Sequence, residues 1–271
     1  MSVHSSVHEE IKEQQQKTKD MSTKGKLAYF WYYYKVHTIV AIGVVAIVVM
    51  FIHQLVTNRN YAFYATIINA DYSLLQDNQW ETEFEQYAEI DTEKYQACID
   101  TSMVFSDDDT SEYALANMNK LLAMLQSGTI DVIVADTENF ENYAQYEYLM
   151  NLDKVLPQEV LKKYQDNLYY TDAATFADTD YDEINGDSAG EIANPADYII
   201  DHRDPSSMKD PIVVGIYLPE NNKIIATGCY DYLKENSITY QGHQSEAILG
   251  IPISSTKVDT ILLFLEFMEE E

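Results

Sequence analysis

The stretch SEYALANMNKLLAMLQSGTIDVIVADTENFENYAQYEYLM, residues 111–150, decides the fold class. Its first part, residues 111–127, reads as a helix built on Tyr113, Leu115, Met118, Leu121, Leu122 and Leu125, ended by Gly128. The run IDVIVA at residues 130–135 is almost continuously apolar, which suits a strand covered on both faces. Residues 140–150 return to helical spacing. Helix, strand and helix in that order are the repeating unit of a layered α/β domain.

The pattern extends outward in both directions. YAFYATIINA, residues 61–70, is a first strand, and residues 75–89 form a helix on Leu75, Trp80, Phe84 and Tyr87. YQACIDTSMVF, residues 95–105, is a second strand; SDDDT follows as a loop, with Thr110 or Ser111 as helix cap. Downstream, residues 152–164 hold short helical pieces around Pro157. Residues 171–195 are an acidic loop or insertion. Structure resumes at residues 196–201 and 212–218, a surface helix fits residues 230–236, and residues 247–253 are a last strand. The terminal helix, residues 258–268, stands behind an N-cap at Ser254 or Ser255. The expected fold class is α/β with a mostly parallel sheet.

Before this domain stands TIVAIGVVAIVVMFI, residues 38–52, without a charge. Residues 36–56 make about 21 residues, or about 31 Å of helix, the thickness of a hydrocarbon core. Residues 29–34 form an aromatic girdle. Lys12, Lys17, Lys19, Lys24, Lys26 and Lys35 precede the run, whereas only Arg59 is basic between it and Lys94. An uncleaved, single-pass anchor is expected, with residues 1–35 cytoplasmic and residues 58–271 extracytoplasmic. His37 and His53 sit at the ends of the run, where polar side chains reach headgroups.

The chain carries a net charge of −28. In residues 1–35 six lysines outweigh four acids, which leaves 11 basic and 41 acidic residues for the remainder. Such a surface excludes nucleic acid as a partner and gives anionic lipid no purchase on the outer domain. Only Cys98 and Cys229 are present; they could pair, or pack as free thiols. Phosphate-loop, HExxH, GxSxG and GxGxxG motifs are absent. The alternating Asp178, Asp180 and Asp182 fail as a calcium loop, with Glu183 where glycine is needed and Ala189 where glutamate is needed. His202, within DHRD, and His243 read as exposed polar residues. No catalytic residue, metal ligand or cofactor is expected. A ligand site, if built, falls at the carboxyl ends of the parallel strands. That edge holds Asp71 after the first strand, Ser106 and Asp107 after the second, and Asp136, Thr137 and Glu138 after the third. Ordinary helix capping accounts for the same residue types.

Residues 121–156, LLAMLQSGTIDVIVADTENFENYAQYEYLMNLDKVL, resemble the extracellular solute-binding proteins of ABC transporters. Gly128, Asp131, Val132, Phe140, Tyr143, Leu149, Leu152 and Pro157 stand in that family's positions, with Glu147 in place of its usual glycine. The resemblance implies a binding-protein-like domain. Only about 40 residues, 171–210, separate its halves, so it implies a one-lobed, membrane-anchored relative with a reduced or missing second lobe. The expected role is noncatalytic binding or scaffolding of a membrane or extracytoplasmic protein partner. A solute receptor is the alternative, and a carboxylate-dependent extracellular hydrolase a third reading.

Overall fold

A long helix, α1 (Thr23–Thr57), dominates the described part of the first of two compact units, Met1–Arg59. Within it Tyr34–His53 is long and apolar enough to cross a membrane, with a mean hydropathy of 2.4 and none of its apolar window buried against protein. The computed structural model describes residues 12, 19, 21–57, 59–75, 79–105, 111–178 and 200–269.

The second unit, Asn60–Glu271, is built on β1 (Asn60–Ile67), α2 (Trp80–Tyr87), β2 (Tyr95–Asp100), α3 (Glu112–Gln126), β3 (Val132–Asp136) and α4 (Thr137–Gln145). There follow α5 (Gln158–Lys163), β4 (Leu168–Asp172), β5 (Pro211–Tyr217), α6 (Lys223–Ala226) and α7 (Asp231–Glu235). A small hairpin, β6 (Thr239–Tyr240) and β7 (His243–Gln244), precedes β8 (Ala247–Gly250) and α8 (Val258–Phe267). The six-stranded sheet has the order β2-β1-β3-β8-β5-β4. It is mixed: β1 runs parallel to β2 and β3, while β8 is antiparallel to both its neighbours and β4 is antiparallel to β5.

Side chains alternate across the sheet into two apolar layers. Phe63, Ala65 and Ile67 of β1 and Val132 and Val134 of β3 face the layer of α2 and α8, where Phe63, Phe84 and Phe264 rings pack 4.6–5.4 Å apart. Tyr64, Ile133 and Ala135 face Leu121 and Leu125 of α3 and Phe140 of α4. Two covered faces explain the unbroken apolar run of β3. Gly215 and Gly250 pair across β5 and β8, and a Cβ on either would stand 2.5–2.9 Å from the Phe140 ring. Both glycines make room for that ring.

Several elements differ from expectation for local reasons. The helix expected from residue 75 starts at Trp80, because Asp71 caps a separate turn, Tyr72–Leu74. The strand expected to reach residue 105 stops at Asp100, whose carboxylate takes Ser102 N and Oγ into a turn. Helix α3 is capped by Ser111 as expected, but it buries Ala114, Leu121 and Leu125 and leaves Tyr113, Leu115 and Met118 exposed. Helix α4 begins earlier, at Thr137, because Asp136 is its cap. Strand β4 was not expected and overlaps the start of the 171–195 loop, most of which lies outside the described residues. Residues 200–201 are not strand, and residues 196–199 lie outside the described residues. Neither Ser254 nor Ser255 caps α8. Ser255 Oγ donates to buried Asp131 (2.8 Å), which also accepts from Lys257 Nζ (2.9 Å) and Tyr64 N (2.9 Å).

Both sheet edges are covered. Glu85 and Glu81 of α2 accept the N–H groups of Ala97 (2.9 Å) and Ile99 (2.8 Å) on β2. On β4, Tyr170 N donates to His202 O (2.9 Å).

Candidate functional site

Strands β1, β2 and β3 end side by side, and Asn69 joins their ends. Its backbone takes φ 58, its Oδ1 accepts from Phe105 N (2.7 Å), and its Nδ2 donates to Asp136 (2.8 Å). Asp136 also accepts from Asn139 N (3.2 Å) and Asn139 Nδ2 (2.9 Å). This buried carboxylate is therefore saturated inside the protein. Thr137, the next residue, exchanges two hydrogen bonds with the Glu246 backbone, at 3.2 and 3.0 Å, tying α4 to the start of β8. Of the other expected site residues, Asp71 is exposed and caps its turn through Ser73 N (2.9 Å) and Oγ (2.6 Å). Glu138 is exposed. Ser106 and Asp107 lie outside the described residues.

A cavity of about 130 Å³ opens beside Thr137. Its wall includes His202, Arg203, Tyr217, His243 and Glu246, brought from the 200–204 segment, the end of β5, the β6–β7 hairpin and the start of β8. His202 corrects the sequence reading. Only 7% exposed, it stacks on Tyr169 with ring centroids 4.3 Å apart and planes 8° from parallel. Its Nδ1 lies 2.7 Å from Tyr170 O, and its Nε2 lies 2.5 Å from Glu141 Oε2. Each ring nitrogen thus lies close to a protein oxygen, inside the wall of the cavity.

Glu141, 3% exposed, also accepts from Tyr169 Oη (3.0 Å) and Gln145 Nε2 (2.7 Å). Burial pushes its carboxyl up, but the bonds from His202, Tyr169 and Gln145 outweigh burial and hold it below the ordinary glutamate value. Burial and the Glu141 charge keep the Tyr169 phenol protonated, far above its usual range. Arg203 lies 3.7 Å over the Tyr217 ring; its Nη2 meets Glu246 at 2.7 Å, and its Nη1 donates to Asp166 O at 3.2 Å. His243 is exposed, as expected.

The two cysteines are free. Cys229 is buried, with Sγ 3.4 Å from Ile224 O. Burial, with the nearby Glu81 charge, pushes the Cys98 thiol up to about 12. Among the described residues no group of three or more His, Cys, Asp or Glu is placed to hold a metal ion.

The sequence pointed to Thr137 at the end of its strand, and the structure puts it on the cavity wall; His202, Arg203, Tyr217 and Glu246 on that wall, and Tyr169 and Glu141 behind His202, were not among the expected site residues. One signal was present: Arg203 is the only arginine of residues 60–271, and it adjoins one of their two histidines. The charged neighbours of His202 concealed its burial, which comes from partners 33 and 61 positions away, Tyr169 and Glu141. No protein-family model matches the chain, and neither curated proteins nor solved structures provide a match.

Proposed function

We propose that this chain is a noncatalytic, single-pass protein whose second unit binds or scaffolds a membrane or extracytoplasmic protein at the outer face. Residues 36–56 anchor it in the bilayer and residues 1–35 remain in the cytoplasm, in keeping with the lysines before the span. The observation that carries the reading is the internal hydrogen bonding of the buried carboxylates beside the cavity. Asp136 is held by Asn69 and Asn139, and Glu141 lies against His202 and accepts from Tyr169 and Gln145. These contacts keep the buried carboxylates engaged inside the protein, which favours recognition over proton transfer.

Relation to solute-binding proteins is part of the proposal. Glu147 stands where that resemblance has glycine, and its φ is 57, in the left-handed region glycine favours. A single lobe among the described residues favours a protein partner over a free solute that two lobes would enclose. The cavity favours a second reading, a solute receptor. A photo-crosslinker at Tyr113 or His243 of the full chain in intact membranes tests the first reading. A discrete adduct with one membrane or extracytoplasmic protein is expected from at least one position. No adduct from either position, alongside saturable solute binding, would replace it with the receptor.

A further inference from the structure

In a strongly acidic unit, the only arginine and both histidines of residues 60–271 line one cavity. We propose that this cavity binds a small zwitterion, a compact molecule carrying one carboxylate and one protonated amine. Its volume is about 130 Å³, which leaves room for a small polar molecule.

The charges select the ligand. Arg203 is held flat on Tyr217 and anchored by Asp166 O, so its planar fork is fixed before anything binds. Its carboxylate partner is Glu246, and the two side chains are 39% and 37% exposed. A pair this wet holds weakly and exchanges partners easily. A simple anion that took Arg203 would leave Glu246 unpaired beside it, with Asp201 also on the wall. A simple amine would meet Arg203. A zwitterion replaces both halves of the existing pair, giving its carboxylate to Arg203 and its amine to Glu246. His202, buried against Tyr169 and Glu141, shapes the wall and fixes the chain next to Arg203, while His243 lines the cavity with an exposed side chain.

The inference rests on the receptor reading of this cavity. Its test is calorimetric titration of the full chain in detergent micelles with glycine, L-alanine, acetate and methylammonium. Saturable binding of glycine or L-alanine is expected, with acetate and methylammonium each at least about tenfold weaker. Arg203→Gln should abolish glycine binding, and Arg203→Lys, which keeps the charge, should weaken it about tenfold. Glu246→Gln should weaken glycine and strengthen acetate, because the competing carboxylate is gone. Circular dichroism checks that each variant folds. No saturable heat with glycine or L-alanine, equal binding in Arg203→Gln, or acetate as tight as glycine would overturn the proposal. A thermal shift with sugars or peptides but not with these probes would overturn it while keeping the receptor reading.

Discussion

Replacing His202 by alanine removes the group that lies against the buried Glu141 carboxylate. Deleting a close polar partner of a buried, ionised carboxylate costs up to about 3–5 kcal/mol, because the remaining charge is less compensated. Here Tyr169 and Gln145 still donate to Glu141, which keeps the loss at the lower end. The stacked Tyr169–His202 contact adds about 1 kcal/mol. His202→Ala should therefore lower the unfolding free energy by about 3–4 kcal/mol. Adding Glu141→Gln removes the stranded charge and should recover at least about 1.5 kcal/mol, a coupling expected of residues in direct contact. Urea unfolding of the full chain in detergent, followed by emission from buried Trp80, measures both quantities. A loss under about 1 kcal/mol in His202→Ala, or no recovery in the double variant, would refute the buried-pair account.

Acid should destabilise the protein. Glu141, Asp100 and Asp172 all have folded values held below their ordinary 4.5, 3.8 and 3.8. Their contribution is present above those values and is lost as pH falls through the lower folded ones, so urea midpoints should drop steeply below about pH 4. Midpoints that stay flat down to pH 3 would contradict the pairing described. Gly215→Ala forces a Cβ to within 2.5 Å of Phe140 Cζ and should cost about 1–3 kcal/mol in the same unfolding assay. Glu147→Gly relieves a left-handed glutamate and should be neutral or stabilising by up to about 1 kcal/mol; a clear loss would mean that the side chain is needed there. A thiol reagent at pH 7 should label neither Cys98 nor Cys229 quickly, and both after unfolding, since both are free and burial raises both thiols.

The alternating order of helices and strands was legible because β3 and its flanking helices carry strong, local periodicity. Strand direction was not. An apolar strand such as β8 reads the same whether it runs with or against its neighbours, and its antiparallel place between β3 and β5 is a long-range fact. Helix α3 shows a related limit: Tyr113, Leu115 and Met118 keep helical spacing, yet the buried stripe runs through Ala114, Leu121 and Leu125. At the site, Asp136 and Thr137 followed from the strand-end rule, and the capping role of Asp136 followed from its residue type. His202 did not, because a histidine between aspartate and arginine looks solvated until β4 and α4 close around it.

The claim on which everything else stands is an anchored chain with its second unit outside. Protease added to intact cells expressing the full chain tests it, with antibodies to each end. The account predicts loss of the C-terminal epitope and a membrane-bound N-terminal fragment, protected up to about residue 57. Protection of the whole chain, or digestion of the N-terminal epitope while Asn60–Glu271 survives, would contradict it.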